Sequence, residues 1–253
     1  MTADLTVPFY LDWKFWSFAV SFAAIVLSQM PPIHLLIRPR RLDVEVHSRI
    51  QLMHRVGNAN VGLLVGITNS GGRALRIRSM RADITRDGHP FASLPCLSYF
   101  ETPSSTSSVL FVPFLLQPNE SWSHGVGFFN PFDRQTEKNY RSCISRLKAD
   151  IRHKLDAQPP GSKEWVEADP DAVAPFMEMF TKFFNLEPGE YAVSLTVTAE
   201  PGSASYSKKY RFTMFESDTE ELRAQSERYK FGTFIAFDDP EVAITIPLTE
   251  DTN

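Results

Sequence analysis

From Phe15 to Ile37 the chain lacks every Asp, Glu, Lys and Arg, and its first thirteen residues contain no Lys or Arg at all. Cysteine is almost as scarce. Cys96 and Cys143 are the only two, which is no disulfide framework for a body this size and agrees with a reducing compartment. Also missing are HExxH, Cys-x-x-Cys and EF-hand spacings, G-x-x-x-x-G-K-[ST], G-x-G-x-x-G and G-x-S-x-G. The pattern therefore offers no basis for a metal site, a bound cofactor or acyl-transfer chemistry. Strong net charge is absent too, at −4, so no nucleic acid is expected as a partner. There is no internal repeat, and the nearest thing to low complexity is the loop-like TPSSTSS at residues 102–108.

What the uncharged run does contain is FWSFAVSFAAIVLSQMPPIHLLI, apolar almost throughout, with Ile25 and Leu27 near its middle. As a helix it would extend roughly 35 Å, against about 30 Å for a bilayer's hydrocarbon core. Trp13, Phe15 and Trp16 cluster at its start, as amphipathic rings do at headgroup level, and Arg38, Arg40 and Arg41 close its far side. Three Arg after the run against Lys14 before it favour an outside N-terminus and a cytoplasmic body. A cleaved signal peptide would want a basic start and a small-x-small site, neither of which is present. Pro31 and Pro32 kink or end the helix, which keeps a buried or interfacial helix as the competing reading. The resulting division is a short extracytoplasmic N-terminus over 1–14, a transmembrane helix over 15–37, and a folded body over 38–253.

The body is predicted to be mainly β. LDVEV alternates at Leu42, Val44 and Val46, RIQLMHR follows, and a turn is expected at Gly57–Asn58. Leu75, Ile77, Met80 and Ile84 alternate with one slip that suits a bulge, before a turn at Asp87–Gly88. The period then changes to three and four. Tyr140, Ile144, Leu147, Ile151 and Leu155 mark one helix with Asp133 as N-cap. Val173, Phe176, Met177, Phe180 and Phe184 mark a second over 171–185. Strands resume at Glu190. A short helix follows, with Thr219 placed to cap it and Gly232 to stop it, and a last strand runs through Val242, Ile244 and Ile246. About eight strands with a helical insertion over roughly 133–186 predict an antiparallel β-sandwich.

LEPGEYAVSLTV, residues 186–197, resembles the tyrosine-corner entry of fibronectin-type and immunoglobulin-like sandwiches, and VGITNSGGRALRI, residues 65–77, is similar to their strand–turn–strand units. The resemblance implies an Ig-like sandwich in which the Tyr191 hydroxyl locks the corner beside Gly189. It implies no function.

Side chains that could carry chemistry are sparse. His47 and His54 are expected on neighbouring strands, facing solvent. Cys96, after Pro95 in a loop-like LPCLSY, is the more reactive thiol candidate, and Cys143 reads as structural. Glu220–Glu221 and Asp238–Asp239 suit a solvated helix start and a turn. Two surfaces rise above this background. Arg134, Lys138, Arg141, Arg146, Lys148 and Arg152 (with Lys154) make the first inserted helix basic. It reads first as the solvated side of an amphipathic insertion, and its composition also suits anionic headgroups at about 1 kcal/mol per residue, an acidic partner or nucleic acid. Phe176, Phe180 and Phe183 make the second helix a face that packs between the insertion and the sheet or, where it is exposed, a partner-docking or membrane-contacting surface. The functional expectation is a bacterial-type, single-pass, non-catalytic scaffold that displays a cytoplasmic body for protein binding. The alternatives are a ligand-gated effector that oligomerises through Ser17, Ser21 and Ser28 and perturbs the bilayer, and an envelope receptor whose body lies outside.

Overall fold

A computed structural model describes residues 13–29, 38–102, 105, 107–159, 164–237 and 243–251. Its first element is α1 (Trp13–Gln29), seventeen residues with no Gly or Pro inside. The expected helix over 15–37 thus begins two residues earlier, and residues 30–37 lie outside the described part, as do residues 1–12. Among the described residues no helix is long and apolar enough to cross a membrane. At about 1.5 Å per residue α1 spans roughly 25 Å.

The body is mainly β and antiparallel. Its strands are β1 (Leu42–Arg55), β2 (Asn58–Asn69), β3 (Leu75–Arg86), β4 (His89–Phe100), β5 (Val109–Leu110), β6 (Phe114–Leu116), β7 (Ser121–Phe129), β8 (Gly189–Glu200), β9 (Tyr206–Met214), β10 (Ile244–Pro247) and β11 (Thr249–Glu250). Hydrogen bonding follows the order β10-β1-β2-β7-β4-β3-β8-β9-β11, with β5 added to β4 and β6 to β3. Two crossings join what would otherwise be separate sheets. The first half of β4 pairs with β3 up to Pro95, and from Cys96 the same strand pairs with β7. Proline has no N–H to donate to a ladder, and β6 pairs with the start of β3 at Leu75–Ile77, along the edge that β4 has left. On the other side β10 pairs with β1 and β11 with β9, with only buried Leu248 between them. The sheet is therefore nearly barrel-shaped.

Alternation explains the core. Val61, Leu63, Val65 and Ile67 of β2 face inward with Val193, Leu195 and Val197 of β8, and all are buried. In β3 the predicted slip is a real register shift between Ile77 and Ser79, which restores Met80, Ala82 and Ile84 to the inner face. Asp87–Gly88 turns as predicted, with φ +50° and +81° joining Arg86 to His89. The first hairpin differs by one residue. Its turn is Val56–Gly57 at φ +51° and +85°, because Arg55 pairs with Asn58.

The predicted insertion contains α2 (Arg134–Asp156) and α3 (Pro170–Phe183). Asp133 caps α2 by accepting from the N–H groups of Gln135 at 2.9 Å and Thr136 at 3.0 Å. A later helix, α4 (Glu216–Ala224), starts three residues before the expected Thr219 cap. Phe215 is the N-cap, with its N–H donating to the Asp218 carboxylate at 2.8 Å, while Thr219 is buried within the helix. A 3₁₀ stretch, Gln225–Phe231, then ends at Gly232 with φ +75°. Val242 lies outside the described residues.

Asn69 ties β2 to the following turn and to β6. It is fully buried, donates to the Arg73 and Leu116 carbonyls at 2.9 and 3.0 Å, and accepts from Gly71 N–H at 3.0 Å. The turn also receives the chain entering from the N-terminal side. A Cβ on Gly71 would meet the Pro39 carbonyl at 2.7 Å. Asn69→Ala leaves these groups partnerless and should cost about 2–3 kcal/mol, read as a lower urea midpoint at unchanged slope. Ser70→Ala, beside it but only half-buried and holding just a long 3.4 Å bond to the Arg41 carbonyl, should cost clearly less, under about 1 kcal/mol.

Candidate functional site

The most exposed apolar surface is α1. Trp13, Trp16, Phe18, Phe22, Ile25 and Leu27 are each more than half exposed, with Phe18 at 70%. At about 100° per residue these side chains, with Phe15 and Val26, cover roughly two-thirds of the circumference. Ser17, Ser21, Ala24 and Ser28 share the remaining face, and the Ser28 hydroxyl donates back to the Ile25 carbonyl at 2.7 Å. A helix apolar around most of its surface belongs in a nonpolar environment.

The second surface is α2. Arg134, Lys138, Arg141, Ser145, Lys148 and Arg152 are all exposed and recur at alternating steps of four and three. That spacing aligns them within an arc of about 80° over roughly 27 Å of helix. Arg141 pairs with Glu137 at 2.8 Å, whereas Arg134, Lys138, Lys148 and Arg152 have no ion-pair partner among the described residues. Glu137 and Asp150 are drawn inward, while Asp156 is exposed at the end of the helix. Glu137 also meets Arg55 at 3.5 Å, and its carboxyl is held below the usual range, chiefly by the Arg141 hydrogen bond. Asp150 pairs with Lys154 at 3.1 Å and accepts from Asp169 N–H at 2.8 Å.

Two cations expected on this surface have structural partners instead. Arg146 donates to the Asp171 carbonyl at the start of α3. Lys154 donates to the Glu167 carbonyl at 3.0 Å and to Asp169, a bond that raises its pKa. Both tie α2 to the α2–α3 connection. The inner side of α2 packs Tyr140, Leu147 and Ile151 into a second core with Val56, Phe176, Tyr229 and Ile235.

Of the two readings of the phenylalanine helix, packing against the body is the one its burial fits, and the docking face requires correction. Phe176 is 0% exposed, its ring set edge-on against Tyr140 at 5.8 Å, so it is core. Phe180 and Phe183 are half-buried, against His54 and Phe132 respectively. Leu155, expected inward, is 49% exposed because the last turn of α2 extends past the core. Sequence reading also overlooked Trp165, 77% exposed in the α2–α3 connection, although a lone Trp within a polar stretch is itself a signal.

The histidines are corrected as well. His47 and His54 lie on the same strand, seven residues apart. His47 is exposed while His54 is buried. His54 Nδ1 accepts from Gly57 N–H at 3.2 Å, which leaves Nε2–H to donate to the Leu222 carbonyl at 2.9 Å. The rings of Phe180 and Phe184 lie 5.3 and 5.6 Å away. Burial lowers the His54 pKa, partly opposed by the Leu222 bond, so the ring is neutral. Cys96 is no reactive loop thiol. It lies in β4, buried, and burial pushes its pKa up to about 12. Cys143 is half-buried in a groove of about 380 Å³ between α2 and α3, with Pro175, Met179 and Phe183. Among the described residues no three His, Cys, Asp or Glu side chains are grouped to hold a metal. Glu220 and Glu221 are exposed on α4, and Asp238–Asp239 lie outside the described residues.

No protein-family model matches the chain, and no curated protein matches it. A crystal structure of a protein from Archaeoglobus fulgidus is similar over 70% of this chain and 98% of its own, at 9% identity and a TM-score of 0.28.

Because the folded pKa of His54 lies below 6.5, the unfolded chain binds a proton there that the folded chain does not. Its contribution is whole above about pH 6.5 and is lost as pH falls through the window down to the folded value. Wild-type unfolding free energy should therefore decline on acidification from pH 7, and His54→Asn, less stable throughout, should lose that part of the slope. Parallel curves from chemical denaturation would show instead that His54 titrates normally in the fold.

Proposed function

We propose that the chain is a membrane-anchored, non-catalytic scaffold whose N-terminal apolar segment inserts in a bilayer and holds a cytoplasmic body for binding other proteins. The observation that carries this reading is the exposure of large apolar side chains around most of α1. In water that surface is costly, at roughly 25 cal/mol per Å². In lipid it is not. The apolar sequence continues past α1 to Ile37, which gives a tilted or kinked span enough length. Trp13 and Trp16 suit one interface and Arg38, Arg40 and Arg41 the other, on the cytoplasmic side.

We read the body as an immunoglobulin-like sandwich. In support, the Tyr191 hydroxyl donates to the Glu187 carbonyl at 2.7 Å, the bond of a tyrosine corner. Gly189 beside it takes φ +154°, where an added Cβ would meet the Asp87 carboxylate at 2.9 Å. The β4 crossing and the α2–α3 lobe would be additions to that plan. Binding is favoured over catalysis because the features most exposed are surfaces, a lipid-compatible rod and a charged helix.

Membranes from cells expressing the full chain test the anchor. After an alkaline carbonate wash the wild type should remain in the pellet, and Phe18→Asp/Phe22→Asp/Ile25→Asp should move to the supernatant with its body still folded. A wild type that washes off, or stays in solution after ultracentrifugation without detergent, would contradict the reading.

A further inference from the structure

We propose that the exposed stripe of α2 is a second membrane contact, a cationic ridge lying along the phosphate-bearing headgroups of the leaflet that faces the body. The inference rests on the anchored reading and adds a lipid preference and an orientation to it. Arg134, Lys138, Arg141, Lys148 and Arg152 form one straight line with Ser145 at its centre, and four of these cations have no ion-pair partner among the described residues. Charged residues usually make a solvated helix face by mixing signs. Here the stripe holds one sign until Asp156 at its end, while Glu137 and Asp150 are engaged by Arg55, Arg141 and Lys154.

The ridge is also held rigidly. Tyr140, Leu147 and Ile151 anchor its reverse side in the second core, and the Arg55 guanidinium lies 4.2 Å over the Tyr140 ring. A straight convex row of cations fits a plane of anionic headgroups along its whole length. Leu155, half exposed on the flank of the row, adds an apolar side chain that can reach below the headgroups, and Trp165 is exposed at the same end of the helix. Tethering through α1 keeps the body close to the surface, so a weak ridge–lipid attraction becomes an intramolecular one. A nucleic-acid strand would gain no stacking from this stripe, whose middle position is serine.

The test uses the full chain in lipid nanodiscs. Cys143→Ser removes the half-buried thiol, buried Cys96 stays unlabelled, and a nitroxide is attached at Ser145→Cys or, separately, at Ala24→Cys. Relaxation by a nickel-chelating lipid reports contact with the headgroups. With about 30% phosphatidylserine the Ser145 signal should rise at least roughly threefold over pure phosphatidylcholine. The rise should vanish at about 0.5 M salt and in Lys138→Glu/Lys148→Glu/Arg152→Glu. These three residues are exposed, and should the triple variant fail to fold, the lipid and salt dependence of the wild type decides alone. A Ser145 signal that ignores lipid charge, with Ala24 inside the bilayer, overturns the ridge and leaves the anchor standing. A lipid-charge-dependent Ser145 signal with Ala24 in water supports the ridge and removes the anchor. If the charge reversals abolish binding of a fluorescent oligonucleotide but leave the nanodisc signal unchanged, the ridge serves nucleic acid and the proposal fails.

Discussion

The turn between β1 and β2 is the joint on which the arrangement of the body depends. Val56 occupies a left-handed conformation there, φ +51°, which a β-branched residue adopts at a cost of about 1–2 kcal/mol. It is held because its side chain is almost wholly buried in the α2–α3 core. Gly57 follows with no room for a side chain, since a Cβ would lie 2.7 Å from both the Phe180 carbonyl and the Phe184 nitrogen. His54, just before the turn, connects the same strand end to α4 through Leu222. One hairpin tip therefore belongs to the β-sheet by its ladder and to the helical lobe by its side chains.

Closure of the sheet explains why that tip is firmly placed. With β4 passing from β3 to β7, and β10 leading directly into β11, the edges are bridged and β1 has a partner on each side. The lobe is then oriented by contacts radiating from the tip. Arg55 reaches Tyr140 and Glu137 on α2, and Arg223 of α4 pairs with Glu187 while covering the Phe184 ring at 5.2 Å. Exposed ion pairs contribute little individually; here they select among orientations that apolar packing alone would leave close in energy. The outcome is a rigid α2 whose cations face outward.

Much of the antiparallel sheet was legible because period-two alternation reflects burial directly. The slip in β3 and the Asp87–Gly88 turn are local properties of a few residues, and both were visible. Asp133 could be read as a cap for the same reason. What escaped reading is determined by distant partners. Val56 has poor turn chemistry, so the hairpin was placed at Gly57–Asn58; only the lobe's core, formed from residues 80 to 180 positions later, makes a valine acceptable there. His54 continues the inward alternation of Ile50 and Leu52, but its polarity argued for solvent, and nothing nearby announces the Leu222 carbonyl. On α2 the count of basic residues was apparent, but separating Arg146 and Lys154 from the ridge required knowing where α3 begins. Phe176 and its neighbours gave too wide an apolar arc to show which ring would be enclosed.

The central claim is that β-sheet and helical lobe form one cooperative body joined at the Val56–Gly57 turn. Native-state hydrogen exchange across a denaturant series measures this most directly, by comparing backbone amides of Leu52 and Val61 with those of Leu147 and Phe176. The account predicts one shared opening free energy and one shared denaturant dependence for all four. If Leu147 and Phe176 exchange through a separate, lower-energy opening while Leu52 and Val61 stay protected, the lobe is an independent appendage and the account is wrong.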